Sequence, residues 1–140
     1  ILDMFAGTGA LGLEALSRGA RSVLFVDNGQ RAIQLLRKNI SICGMENKAT
    51  IVKTDATKKL PIPQKNSFDL VFIDPPYGKG LGLKALKILT KYELLKEETL
   101  IILEEGELIN SIESFSIDDC RRYGSSYAHF LTPNILQPFT

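Results

Sequence analysis

Residues 7–12 read Gly-Thr-Gly-Ala-Leu-Gly, set between the apolar run Ile1–Phe5 and a helical period over Ala10–Arg18 that Gly19 closes. Glycines at this spacing let a strand turn sharply into a helix and let the backbone approach a ligand closely. The helix then presents unpaired N–H groups at its amino end. A strand feeding a helix in this way is a βα unit, and the chain goes on repeating it. Ser22–Val26 reads as a second strand. Gln30–Cys43 reads as a helix with Ile33, Leu36, Ile40 and Cys43 on one face and Gly44 as its cap. Ala49–Lys53 is a third strand, followed by a loop rich in Pro, Lys and Asn that runs to Ser67. Phe68–Ile73 is apolar enough for a central strand, Leu83–Tyr92 is helical, and Thr99–Glu104 is a fifth strand. Such alternation predicts an α/β fold: a central, mostly parallel sheet flanked by helices, with right-handed crossovers. The rhythm changes after Glu105, where Ser114–Tyr123 and Ser126–Leu131 predict a C-terminal antiparallel hairpin across Tyr123-Gly124-Ser125. Residues 132–140, with Pro133 and Pro138, are expected to form an irregular tail.

A length of 140 residues and a hydrophobic share of 44% suit a single domain, residues 1–140, around one sizeable core. Ile1 opens the chain inside a strand-like stretch, so it is expected to be part of a longer protein whose amino-terminal portion is absent. No apolar run approaches a membrane span and no signal-peptide pattern is present. Cys43 and Cys120 stand far apart, without a CxxC or a Cys/His cluster. These features predict no membrane association, no metal site and a reducing, cytoplasmic setting, with a monomer as the expected state. Charge is spread unevenly: residues 1–96 carry 15 Lys and Arg against 8 Asp and Glu, and the remainder carries 2 against 8. A basic main body favours a polyanionic partner.

The glycine string alone fits a dinucleotide or a methyl-donor nucleoside equally well. Two acids narrow the choice. Asp27 ends the second strand, where a carboxylate can accept hydrogen bonds from both hydroxyls of a ribose. Asp3 lies inside the first strand, four residues before Gly7, where it would repel a pyrophosphate but can orient the ammonium of a methionine moiety. The alternative reading of Asp3 is a carboxylate that hydrogen-bonds the turn itself. Asp55-Ala56 follows the third strand at the same edge of the sheet, so Asp55 can accept from an adenine amino group while the Ala56 N–H meets a ring nitrogen.

Asp74-Pro75-Pro76-Tyr77, directly after the apolar strand Phe68–Ile73, is the most specific signal. Two prolines fix the backbone and remove two donors, so nearby carbonyls join neither a helix nor a ladder. They are left free in the crevice beyond the strand ends, where open α/β sheets bind ligands. The Asp74 carboxylate and the Pro75 carbonyl can together receive both hydrogens of an amino group. Tyr77 offers a flat face on which a base can stack, worth roughly 1–3 kcal/mol. This set suits methylation of an exocyclic amine, a poor nucleophile that gains from being held in line with an electrophilic methyl. By this chemistry guanine, adenine and cytosine amines are all admissible. Lys79, Gly80 and Gly82 follow, a segment able to close on a base with Lys79 meeting a phosphate. His129, the only histidine, shows no carboxylate partner and is expected to be structural.

At these residues the chain resembles the class I, Rossmann-like S-adenosylmethionine-dependent methyltransferases, and more narrowly the bacterial small-subunit rRNA guanine-N2 methyltransferases of the RsmD type. The likeness rests on the run from Leu2 to Ala20 and on Asp74-Pro75-Pro76-Tyr77-Gly78-Lys79-Gly80, and the order of elements extends it to about Leu131. The resemblance implies methylation of the N2 amine of a guanine in 16S rRNA, with ribosomal RNA or the assembling small subunit as partner. The expected cofactor is S-adenosyl-L-methionine, with Asp3, Ala6, Gly7, Thr8, Gly9, Asp27, Asn28, Asp55 and Ala56 as its contacts. Asp74, Pro75, Pro76 and Tyr77 are the expected catalytic set. Where that family carries an Asp-Arg pair after the ribose acid, this chain reads Asn28-Gly29-Gln30, a change at a helix start. Competing readings are a DNA adenine-N6 or cytosine-N4 methyltransferase, a dinucleotide-dependent oxidoreductase and a non-catalytic nucleoside-binding module. The double proline and Asp3 have no role in the oxidoreductase, 140 residues leave no room for a DNA target-recognition domain, and intact Asp74 and Tyr77 argue for catalysis.

Overall fold

The chain runs through β1 (Leu2–Met4), α1 (Ala10–Ser17), β2 (Val23–Asp27), α2 (Gln30–Ile42), β3 (Ala49–Lys53), β4 (Phe68–Ile73), α3 (Leu81–Lys91) and β5 (Leu95–Glu105). It closes with β6 (Phe115–Tyr123) and β7 (Ser126–Pro133). This computed structural model describes residues 1–134 apart from 64 and 66. All seven strands form one sheet in the order β3-β2-β1-β4-β5-β7-β6. The first five positions of that order are parallel, and β7 and β6 pair antiparallel, so the expected mostly parallel sheet with a terminal hairpin is what forms. Chain order reverses at β1, which lies between β2 and β4. A crevice opens at such a switch, outside the carboxyl ends of the strands.

Parallel register determines which residues meet there. Met4 stands opposite Val26 and Ile73, and Ile73 stands opposite Leu103. One residue beyond this apolar row come Phe5, Asp27, Asp74 and Glu104.

The sheet's faces alternate strictly. Leu2, Met4, Val71, Ile73, Ile101 and Leu103 are all fully buried beside Leu86 and Leu89 of α3. On the other face Phe25 and Val23 pack with Leu16 of α1 and with Ile33, Leu36 and Ile40 of α2. His129 is buried in the hairpin layer, where Nε2 accepts from the Ile109 N–H at 3.0 Å and Nδ1 donates to the Leu103 carbonyl at 3.2 Å. Both ring nitrogens are thus used to tie the loop after β5 to the sheet, the structural role expected of it.

Glycine is required at two points of the first βα unit for different reasons. A Cβ on Gly12 would stand 2.4 Å from the Phe25 ring and 2.9 Å from Val23, so helix α1 reaches the sheet only without one. Gly7 has φ +57 and nothing within 4 Å of a would-be Cβ, so its backbone faces open space.

Most boundaries fall within two residues of expectation. β5 differs, since it begins at Leu95 and not at Thr99. The charged run Lys96-Glu97-Glu98 reads as loop, yet the Thr99 hydroxyl donates to the Phe68 carbonyl and accepts from the Lys96 N–H, carrying the pairing past a bulge in β5. β7 likewise continues to Pro133, opposite Phe115, so the first two residues of the expected tail belong to a strand. A proline is tolerated at a strand end, where its missing donor costs no ladder bond. Asn134 follows, its N–H donating to the Ser114 carbonyl at 2.8 Å, and residues 135–140 of the expected tail lie outside the described residues.

The Gly12 contact yields a test. Replacing Gly12 by Ala gains at most about 1 kcal/mol of helix propensity. It also overpacks a fully buried ring, at about 1–3 kcal/mol. Thermal unfolding should therefore show Gly12→Ala less stable than wild type, whereas the same change at an exposed helical site such as Ser41 should not destabilise.

Candidate functional site

The glycine loop is held from below by Asp27. Its Oδ2 accepts from the Gly7 N–H and its Oδ1 from the Gly29 N–H, both at 2.8 Å. One carboxylate therefore sets the loop after β1 and the start of α2, which needs no side-chain cap at Gly29. The substitution of Asn28-Gly29-Gln30 for the commoner charged pair falls at this helix start. The Ala6 N–H donates to the Val26 carbonyl and the Gly9 N–H to the Ala6 carbonyl, so the loop stays pinned to β2. Phe5, at the exit of β1, holds φ +58, a conformation costly for a residue with a side chain and common at functional sites.

Asp3 is 1% exposed, and its Oδ2 accepts from the Gly12 N–H at 3.0 Å, inside the first turn of α1. It thus serves the turn, as the alternative reading had it. Burial pushes its carboxyl up to about 7; the Gly12 hydrogen bond opposes that rise, while the charges of Asp74 and Asp27 add to it.

A cavity of about 360 Å³ lies beyond the switch point. It gathers Asp27 and Asn28 from the end of β2, Asp55 and Ala56 from the end of β3, and Asp74, Pro75 and Pro76 from the end of β4. Sequence reasoning did not name Phe5, Val26 and Thr54, which complete its wall. Asp55 forms an Asx turn: its Oδ1 accepts from the Thr57 hydroxyl at 2.6 Å and the Thr57 N–H at 2.9 Å, which hold the carboxyl below its ordinary range. Asp3, Ala6, Gly7, Thr8 and Gly9 do not line this cavity. Thr8 is exposed, with its carbonyl accepting from the Asn39 amide, and Gly9 is buried against Leu36.

Asp74 also lines a second, smaller cavity of about 270 Å³ on the side of β5 and the hairpin. Tyr77 leaves this wall and stands over Gly106, where any Cβ would come within 3.2 Å of its ring. Its hydroxyl is hydrogen-bonded to the Ser126 side chain, and burial raises its ionisation above the usual phenol range. The double-proline loop is therefore fastened to the start of β7. The acids Glu104 and Glu105, ending β5, are further candidate residues that sequence reasoning did not name. Their signal was present, since two acids terminating an apolar strand are unusual, but their relevance depends on β5 lying next to β4. Burial and then the Asp74 charge raise both carboxyls above the ordinary range, and a hydrogen bond links Glu104 to Asp74. Alternation sends Glu104 to the side of Asp74 and Glu105 to that of α3, where its Oε2 would lie 3.1 Å from a Cβ on Gly82. Among the described residues no group of His, Cys, Asp or Glu is placed to hold a metal, and no helix is long and apolar enough to cross a membrane.

Residues 1–132 match the model of a protein family described as Conserved hypothetical protein 95. The chain belongs to this family, that of the RsmD-type methyltransferases. A Bacillus subtilis member bearing the provisional name of rRNA methyltransferase is 36% identical over 129 residues, which cover 88% of this chain and 70% of that protein. The ribosomal RNA small subunit methyltransferase D of Haemophilus influenzae is 38% identical over 106 residues, 74% of this chain and 54% of its own length. The chain thus spans about half the length of the small-subunit methyltransferases it matches. Among solved structures, a Haemophilus influenzae protein provisionally named as a methylase superposes with a TM-score of 0.82 at 29% identity, covering 94% of this chain and 84% of that one. The Rossmann-like methyltransferase fold of the family is the fold observed.

The state of Asp3 makes the site's stability depend on pH. A folded-state carboxyl raised from 3.8 to about 7 stabilises the fold fully below pH 4, and that contribution is lost as pH rises through 7. Asn at this position keeps an acceptor for the Gly12 N–H and does not titrate. The stability of Asp3→Asn relative to wild type should therefore climb between pH 4 and pH 7–8 in denaturant unfolding. A flat difference curve would show that Asp3 ionises in the fold as it does in water.

Proposed function

We propose that the chain is the catalytic portion of an S-adenosylmethionine-dependent methyltransferase that modifies the exocyclic N2 amine of a guanine in small-subunit ribosomal RNA. The observation that carries this reading is the position of Asp74, which forms part of the wall of both adjoining cavities. A nucleoside cofactor in the larger cavity and a base in the smaller would meet across this one carboxylate.

The residues present fit the cofactor. Each Asp27 oxygen is engaged once by a backbone N–H and retains a lone-pair site, so the pair can still receive both ribose hydroxyls. Gly7 leaves open space beside the loop, and Asp55 keeps Oδ2 for an adenine amino group. Asp3, beneath the loop, becomes more fully ionised beside an ammonium group. When bound, the cofactor supplies a methyl group made electrophilic by its sulfonium.

Everything else rests on the protein. Asp74 and the Pro75 carbonyl receive the hydrogens of the target amine and so aim its lone pair, while Tyr77, outside the wall of the smaller cavity, packs over Gly106 behind the double-proline loop. Positioning of this sort, with acceptors fixed before the substrate arrives, provides most of the acceleration. The ribosomal substrate follows the names of the relatives, and the guanine assignment follows the family resemblance alone. A basic body, carrying 15 of the 17 Lys and Arg in residues 1–96, suits a polyanionic partner.

Asp27→Ala should weaken binding of S-adenosylhomocysteine by about 1–3 kcal/mol in calorimetry, because ribose hydroxyls lose a charged acceptor and the Gly7 loop loses its anchor. Asp27→Asn, which restores one acceptor, should recover part of that loss. Asp74→Ala should lower turnover by about 10²-fold or more while cofactor affinity moves far less. Labelled methyl transfer to small-subunit particles and to duplex DNA, followed by mass spectrometry of the nucleosides, tests the whole assignment. N2-methylguanine in the rRNA is the expected product; methyl groups confined to adenine N6 or cytosine N4 would overturn the guanine assignment, and an undiminished Asp74→Ala would overturn the amine site.

A further inference from the structure

We propose that the smaller cavity is the seat of the target base and that Glu104 is its specificity-determining residue, accepting the N1–H that distinguishes guanine from the other amine-bearing bases. This rests on the amine-methylation reading above and adds to it a reason for the choice of base drawn from the protein's own chemistry.

The cavity is walled by the flat or branched side chains of Phe72, Ile102, Tyr123 and Phe130, with Asp74 and Glu104 as its two acids. The sheet register explains the grouping. Phe72 stands opposite Ile102, Ile102 opposite Phe130, and Glu104 opposite Ala128, so all of these project from one face of three adjacent strands. Phe72 and Ile102 are only half-buried, and Tyr123 is 56% exposed, so the apolar walls are open to an entering ring. A ligand suited to such a pocket has apolar faces and hydrogen-bond donors along one edge, which describes a nucleobase turned out of its stack.

The bases differ in what lies next to the amine. In adenine and cytosine the neighbouring ring nitrogen is an unprotonated acceptor, whereas guanine presents N1–H beside N2–H, two donors side by side. One carboxylate alone would serve any of the three amines. A second carboxyl that turns only its acceptor oxygen to the base, its O–H being used elsewhere, suits guanine alone, because an acceptor facing adenine N1 or cytosine N3 opposes lone pair to lone pair. Glu104 is hydrogen-bonded to Asp74, with burial and the Asp74 charge favouring the protonated form. In that pair the Glu104 hydroxyl donates to Asp74, and its carbonyl oxygen remains free to accept the N1–H. Asp74 keeps its other lone pairs for the amine.

The test separates base recognition from catalysis by changing the substrate at N1 and C6 while keeping the reacting amine. 2-Aminopurine keeps the N2 amine and lacks both the N1–H and the O6 carbonyl, so the Glu104 variants, which face N1, decide how much of any preference comes from the N1–H. The full protein is assayed on rRNA carrying guanine or 2-aminopurine at the mapped target nucleotide. Wild type should favour guanine in kcat/KM by on the order of 10- to 100-fold. In Glu104→Ala that preference should collapse, with guanine losing rate and 2-aminopurine holding its own. Glu104→Gln, whose amide N–H can donate to an unprotonated N1, should shift the preference toward 2-aminopurine. Calorimetric binding of S-adenosylhomocysteine checks that each variant is folded; if Glu104→Ala fails it, the isosteric Glu104→Gln decides. A preference unchanged in the variant that folds would overturn the role of Glu104, even if both rates fall together. Wild type that methylates rRNA on no guanine would instead overturn the proposed function, so the two failures are distinguishable.

Discussion

Parallel pairing sets Met4 level with Val26 and Ile73, and Ile73 level with Leu103, so four strands end along a common line. The rest of the molecule depends on that line. Each strand leaves its apolar row at the same height, and the next residue is free of the core. Asp27, Asp74 and Glu104 all occupy that next position, although 77 positions separate the first from the last in the sequence. A slip of one residue in any of these strands would send its acid to the opposite face. The fully buried partners Met4, Val26, Ile73 and Leu103 make such a slip costly, and the site inherits its precision from the core.

The acids at this edge also hold up the structure around them. Asp27 fastens two loops, Asp3 receives the first turn of α1, and Asp55 forms its own Asx turn with Thr57. A carboxylate already anchored in this manner loses little freedom when a ligand arrives, which lowers the entropic cost of binding. The arrangement carries an electrostatic burden, because the charge of Asp74 adds to burial in raising the proton affinity of Asp3, Glu104 and Glu105. Protonation of part of the group relieves the repulsion. A ligand with a positive charge or several donors relieves it further, and S-adenosylmethionine and the guanine edge have those properties.

The hairpin shows how a peripheral element shapes the centre. β7 pairs with β5 and presents Ala128 opposite Glu104, while Ser126, at its start, holds the Tyr77 hydroxyl. His129 secures the same strand to the loop after β5 through both ring nitrogens. The double-proline loop is therefore stiff from two causes: its own restricted backbone, and a tether to an element more than 40 residues later in the chain.

Much of this was written in local pattern. The apolar period of Phe68–Ile73, the helical spacing of Ile33, Leu36 and Ile40, and the glycine string each specify an element by neighbours alone, and those elements form where expected. The cavity residues Asp27, Asn28, Asp55, Ala56, Asp74, Pro75 and Pro76 were legible for the same reason, since each ends or follows a recognisable strand. Strand β5 was misjudged at its start because Lys96-Glu97-Glu98 is polar locally, while its pairing is secured by a hydroxyl reaching the Phe68 carbonyl on another strand. Glu104 was invisible as a site residue because nothing in its own segment says that β5 lies beside β4, or that its side chain shares a face with Asp74. By itself the sequence determined the elements, the turn chemistry and the acids that end the strands. Only the tertiary structure decided which acids share a cavity and which hold a loop, because strand order and register act between segments distant in the chain.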